Sequence, residues 1–167
     1  MAIAKVRPDF KVMANFLLRN VEPIKDYFIA VNPFESRREA YSNLTGLKAV
    51  MHHLDEGKPL GIFPAGEVST FQSEFQTIAD KKWATSVVKI VRNAKVPVIP
   101  LFFDGRNSRV FHLLGMIHAN LRTLALPSEM LRKKGEVIRL KIGKSIQPKD
   151  TEMFSNLDQY GRYLRAK

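Results

Sequence analysis

The chain has 167 residues, enough for one domain with a real core, so it needs neither a metal nor disulfides to fold. It has no cysteine, which excludes a disulfide scaffold, a thiolate zinc site and a cysteine nucleophile. Against 16 acidic residues stand 27 Lys and Arg, a net charge of +11 with a pI near 10.0, and such a surface seeks anions: nucleic acid, an anionic membrane face or an acidic protein.

Taken in chain order, Phe10 to Ala14 reads as a short strand leading into a helical turn at Phe16 to Val21. Tyr27 to Val31 is a second apolar run, closed by the turn signal Asn32-Pro33. Ser36 and Glu39 form a capping box for the clearest helix, whose predicted buried face is Ala40, Leu44, Leu47, Met51 and Leu54, with Gly57 as its stop. Leu60 to Phe63 is predicted as a buried strand. The segment Ser69 to Lys82 reads as the longest irregular loop, directly after that strand, where α/β proteins place sites. Trp83 to Ala94 has helical spacing at Val87, Val88 and Val91. Val96 to Phe103 reads as another buried strand. Val110 to Leu121 and Ser128 to Lys134 read as helices, Glu136 to Ile142 as a less buried strand, and Ser155 to Lys167 as a last helix. Strands alternating with helices predict an α/β fold with a mostly parallel central sheet flanked by helices, in a single domain over residues 1–167. No stretch is long enough for a transmembrane helix, and the first residues lack an apolar core of signal-peptide length, so membrane contact is expected to be peripheral.

The most informative stretch is Gly61-Ile62-Phe63-Pro64-Ala65-Gly66-Glu67-Val68-Ser69. A strand ends in Pro64, then small residues, then an acid and a hydroxyl. Gly66 lets a backbone approach a ligand closely, and N–H groups in such a turn can hold an oxyanion or a phosphate. Glu67 and Ser69 can hydrogen-bond a hydroxylated or amide-bearing acceptor. A plain strand-to-loop turn with a solvated Glu67 explains the pattern equally well. A second polar cluster, Asp104-Gly105-Arg106-Asn107-Ser108-Arg109, follows Val96-Pro97-Val98-Ile99-Pro100-Leu101-Phe102-Phe103, and its guanidiniums suit phosphate or carboxylate.

The run Phe63 to Ser69 resembles the F-P-E-G-T-R-S block of the glycerolipid acyltransferases. It is closer still to the F-P-A-G-E-V-S form of the bacterial branch labelled putative hemolysin or lyso-ornithine-lipid acyltransferase. Val96 to Pro100 is similar to that family's fourth block, and Tyr27-Phe28-Ile29-Ala30-Val31-Asn32-Pro33-Phe34 to its second. The segments Gly105 to Ser108, Phe111 to Leu126 and Val137 to Ile146 also look like that branch. The resemblance covers nearly the whole chain, in order. It implies a glycerolipid-acyltransferase-like fold and a reaction: a fatty acyl group passes from an acyl thioester, on acyl carrier protein or coenzyme A, to the hydroxyl of a lysolipid. The implied setting is phospholipid or ornithine-lipid biosynthesis at the inner face of the cell membrane. The partners implied are a lysolipid, the acyl donor and an anionic membrane surface, with no bound cofactor and no metal. The family's H-x-x-x-x-D block supplies a histidine general base oriented by an aspartate.

That block is absent from this sequence. His52 and His53 have only Asp55 near them, at the wrong spacing, and His112 and His118 have no aspartate four or five residues on. All four are read as surface or core residues, and none is assigned a catalytic role. The domain is therefore expected to be incomplete at both ends and inactive alone. The arginine of the family's third block is replaced around Val68, and the second block carries Val31-Asn32 in place of arginine, which argues against lysophosphatidic acid as acceptor and leaves room for an amino-acid lipid. The acceptor-binding residues expected are Phe63, Pro64, Gly66, Glu67 and Ser69, with Arg106 and Asn107 as second choices. Two alternatives remain: a non-catalytic lipid- or acyl-carrier-binding module, and a nucleic-acid binder, the latter disfavoured because the basic residues are dispersed and no nucleic-acid motif is present.

Overall fold

The computed structural model describes residues 2–15, 22–31, 40–72 and 76–167. The predicted helical turn at 16–21, the Asn32-Pro33 turn and the Ser36–Glu39 capping box lie outside them. The chain divides into two compact units. The first comprises Met1–Gly66 and Trp83–Val96, the second Glu67–Lys82 and Pro97–Lys167.

The first unit holds the predicted parallel sheet. After a short helix α1 (Ala2–Val6), strand β1 (Lys11–Asn15) lies between β2 (Phe28–Val31) and β3 (Leu60–Ile62), both parallel to it. Met13 pairs in register with Ile29 on one side and Ile62 on the other, so the three side chains form one row. Helix α2 (Ala40–Asp55) lays Val50, which has no exposed surface, onto Met13 and Ile29, and Leu54, Leu60, Val87 and Ile90 close around them. Two of these come from α3 (Thr85–Ala94), whose Val88 is also buried. Continuous apolar runs in short strands are what a parallel sheet covered by helices requires.

The face of α2 differs from the predicted one. Gly46, Val50 and His53 are buried, while Leu47 is 36% exposed and Met51 only partly covered. The reason is steric. A Cβ at Gly46 would stand 2.7 Å from the Ala30 carbonyl oxygen, so the glycine marks the line of closest approach to β2 and fixes the helix's rotation. His53 is accommodated because its Nε2 meets the Pro59 carbonyl oxygen at 3.1 Å. The helix stops where predicted: Gly57 takes φ +73°, its N–H donates to Leu54 O and the Lys58 N–H to His53 O, a Schellman arrangement.

The second unit is antiparallel and helical. The predicted irregular loop Ser69–Lys82 instead contains a hairpin, β4 (Thr70–Gln72) with β5 (Thr77–Ala79). Strand β6 (Leu101–Asp104) pairs antiparallel with β7 (Arg139–Ile142). The apolar run ending at Phe103 was expected to be a buried strand. In the structure Leu101, Phe102 and Phe103 are exposed, because this ribbon has two strands and pairs with no third among the described residues. Helices α4 (Arg109–Ile117) and α5 (Ala119–Arg132) form a hairpin whose break falls at His118, earlier than predicted. His118 is extended, and its Nδ1 accepts the Asn120 N–H to cap α5, which then runs through Pro127. Helix α6 (Leu157–Arg165) buries Tyr160 and Leu164, with Phe154 stacked on Tyr160 and Tyr163.

Gly46→Ala is expected to lower stability by about 1–2 kcal/mol, because overpacking against a backbone oxygen exceeds the gain in helix propensity. Chemical denaturation checks this, and an unchanged or raised midpoint would contradict the packing described.

Candidate functional site

The Phe63–Ser69 block straddles the two units. In the first unit β3 ends at Ile62 and the chain makes a tight turn, with the Gly66 N–H donating to Phe63 O at 3.0 Å and Pro64 at the turn's second position. Gly66 takes φ +71° and nothing lies within 4 Å of a Cβ placed there, so the turn conformation calls for glycine, not a crowded neighbour. Its N–H is used inside the turn. Pro64 O accepts the Ala84 N–H, and Phe63 is 62% exposed.

Glu67 and Ser69 belong to the second unit, where the β4–β5 hairpin determines their partners. The register pairs Thr70 with Ala79, which carries the next residues, Ser69 and Asp80, side by side. The Ser69 hydroxyl donates to Asp80 Oδ1, and Lys81 Nζ reaches Glu67 Oε1 at 2.7 Å. The other carboxylate oxygen of Glu67 accepts from Arg122 Nη2, also at 2.7 Å. Arg122 comes from α5. Its stem crosses α4 at Gly115, where a Cβ would sit 3.0 Å from Arg122 Cδ, tighter than ordinary contact, so the glycine lets the stem pass without displacement. Partial burial of Glu67 opposes its ionisation, but the hydrogen bonds from Lys81 and Arg122 outweigh it and hold the carboxyl below its ordinary range. Glu67 is therefore a fixed anion.

Beside this network lies a cavity of about 190 Å³, lined by Thr70, Phe71, Lys81, His112, Gly115, Met116 and Arg122. Both ring nitrogens of His112 are buried, and neither has a hydrogen-bond partner among the described residues. Burial pushes the His112 pKa down. The Glu129 charge opposes that and the Arg122 and Lys133 charges reinforce it, so the imidazole is neutral at pH 7. The other histidines are accounted for: His53 meets Pro59, His118 caps α5 and His52 is exposed beside Glu56.

Of the expected site residues, Glu67 is brought to the cavity's edge. Arg106 and Asn107 do not line the cavity: Arg106 is exposed, and Asn107 Oδ1 accepts from Lys133 Nζ at 2.8 Å. The next residue begins the lock of the helical hairpin. Glu129 accepts the Ser108 N–H at 2.8 Å and the Ser108 hydroxyl at 2.7 Å, while Ser108 Oγ caps α4 through the Phe111 N–H. Lys81, Arg122 and His112 were not assigned from sequence. Lys81 lies outside the quoted blocks, Arg122 falls within the Phe111 to Leu126 resemblance but carries no charge partner nearby in sequence, and His112 lacks an aspartate four or five residues on. Phe71 lines the cavity, and the Trp83 indole nitrogen is buried with no partner among the described residues.

Comparison with known proteins follows the same lines. A family model described as Acyltransferase matches residues 3–167. This chain belongs to that acyltransferase family. It is 26% identical over 163 residues to a lyso-glycine lipid O-acyltransferase of Phocaeicola vulgatus, covering 93% of this chain and 55% of the relative. It is 25% identical over 162 residues to a lyso-glycine lipid O-acyltransferase of Bacteroides thetaiotaomicron, covering 93% and 57%. The chain thus spans little more than half the length of these curated relatives. No solved structure matches it.

Two outcomes are expected. Glu129→Ala should cost about 1–3 kcal/mol in denaturant unfolding, since it leaves the Ser108 N–H and hydroxyl without their acceptor; no loss would deny the lock. The lowered His112 pKa makes the unfolded chain the stronger proton binder, so stability should fall as pH drops below the ordinary histidine value of 6.5. His112→Gln should flatten the stability profile between about pH 7 and pH 5, above the range in which the carboxylates dominate. A slope equal to that of the unaltered chain would contradict the assignment.

Proposed function

We propose that the chain forms the acceptor side of an enzyme that transfers a fatty acyl group from an acyl thioester, on acyl carrier protein or coenzyme A, to the hydroxyl of a lysolipid during membrane-lipid biosynthesis. One observation carries this reading: the block Phe63 to Ser69, which resembles the family's third block, brings Glu67 as a fixed anion to the edge of a small cavity, in a chain that matches the family over residues 3–167. The names of the two relatives support a lysolipid acceptor. In this reading Phe63, Pro64 and Gly66 shape the turn, Glu67 and Ser69 fix its position through Lys81 and Asp80, and Arg106 lies outside the cavity.

The membrane's inner face is the proposed place of action. Among the described residues no helix is long and apolar enough to cross a membrane. Val110, Leu113 and Ile117 form an exposed apolar row at helical spacing on α4, and the net charge of +11 favours both an anionic surface and an acidic carrier protein. The absence of H-x-x-x-x-D from the sequence favours a second reading, a lipid- or carrier-binding module without catalysis.

The two readings separate in one assay. Acyl carrier protein with a labelled acyl group is incubated with a panel of lysolipids and either this chain or a form extended upstream to carry an H-x-x-x-x-D block. The expected result is transfer by the extended form, exceeding the chain alone by about 100-fold or more, the contribution of a positioned general base. Transfer by neither form, with lipid binding retained, would establish the binding module.

A further inference from the structure

We propose that the cavity between β4 and the α4–α5 hairpin binds a short aliphatic monocarboxylate, a free acid with its carboxylate on Arg122 and Lys81 and its chain against Phe71 and Met116. Such a ligand is neither an acyl thioester nor a lysolipid, and the inference does not depend on the acyl-transfer reading.

Three observations lead there. The first is size. The cavity of about 190 Å³ is little larger than the roughly 150 Å³ in which a protein can hold one benzene ring, and it falls short of the roughly 300 Å³ at which sites for drug-sized molecules begin. It therefore suits a ligand of about eight non-hydrogen atoms, such as a six-carbon acid. The second is charge. Glu67 takes one contact from Arg122 and one from Lys81, each at 2.7 Å. A guanidinium has several N–H donors and an ammonium three, so both cations keep donors beyond that pair. Two positive charges against one negative leave one net positive charge, and His112, held neutral by burial, adds none. One carboxylate balances it, whereas a dianion would exceed it and stand against Glu67. The Arg122 side chain is only 11% exposed and already oriented by Glu67, so it meets a carboxylate without first being ordered. The third is the rest of the lining. Phe71, Met116 and the bare backbone of Gly115 border the same small space. His112 lines it without presenting a nitrogen to solvent, since both are buried. Phe71 and Met116 keep apolar surface in water that a short chain would cover. A ligand that joins one carboxylate to a few methylenes meets both kinds of lining; a bare inorganic anion meets only the charged one.

The test is calorimetric titration of the chain at neutral pH with acetate, butyrate, hexanoate and decanoate, with hexanamide and inorganic phosphate as controls. Hexanoate should bind with a Kd of about 1 mM or below, as a good ligand of its size can. It should bind about tenfold or more tighter than hexanamide, the size of one charge-assisted contact. Affinity should rise about fourfold per methylene from acetate to hexanoate and level off before decanoate, once the cavity is full. Arg122→Gln should erase the difference between hexanoate and hexanamide. Lys81→Gln changes a well-exposed side chain and should weaken hexanoate about fivefold while leaving hexanamide unchanged. If Arg122→Gln does not fold, Lys81→Gln decides, and an unchanged hexanoate affinity overturns the proposal. No binding of hexanoate, equal binding of hexanoate and hexanamide, tighter binding of phosphate, or an affinity that keeps climbing to decanoate also overturns it. Each of these leaves the acyl-transfer reading to its own transfer assay.

Discussion

A single carboxylate organises the second unit. Glu67 cannot leave its ionised state cheaply, because Lys81 and Arg122 each hold one of its oxygens at 2.7 Å. Each partner arrives by a different structural route. Lys81 is returned by the β4–β5 hairpin, and Arg122 is passed across α4 through the space at Gly115. The carboxylate therefore ties a hairpin to a helix pair, and the cavity exists because those elements meet around it. The helix pair has its own lock in Glu129, which binds Ser108 at the start of α4 from the far end of α5.

The first unit works on a different principle. Its three parallel strands and two longer helices bury a row of Met13, Ile29 and Ile62 under Val50, a cluster that is apolar throughout among the described residues. Burial of aliphatic side chains at about 25 cal/mol per Å² is non-directional and tolerant, so this unit is held by the fit of its apolar row and not by paired charges.

How much of this was legible in the sequence follows from the same physics. The strands of the first unit showed because parallel strands are continuous apolar runs, and the stop of α2 showed because Gly57 supplies the conformation its cap requires. The phase of α2 did not, since its buried stripe contains a glycine and a histidine, residues that apolar periodicity does not count. The β4–β5 hairpin escaped because Thr70-Phe71-Gln72 and Thr77-Ile78-Ala79 are short, half polar and lack an Asn-Gly or Asp-Gly turn. The exposed β6 was misread because Leu101-Phe102-Phe103 carries the composition of a core strand. At the site, the Phe63–Ser69 block was visible as a motif. Arg122 was not, because an arginine 55 residues away joins Glu67 only through the fold, and the predicted helices ended at Leu121 and resumed at Ser128, with Arg122 between them.

Glu67 and Arg122 form one coupled unit, on which the cavity depends. A double-mutant cycle with Glu67→Gln, Arg122→Gln and the pair together, read by denaturant unfolding at low salt, measures that coupling directly. The predicted interaction energy is about 1–3 kcal/mol, as expected of partly buried partners in one network. A coupling within about 0.3 kcal/mol of zero, the behaviour of independent sites, would contradict the arrangement on which the cavity depends.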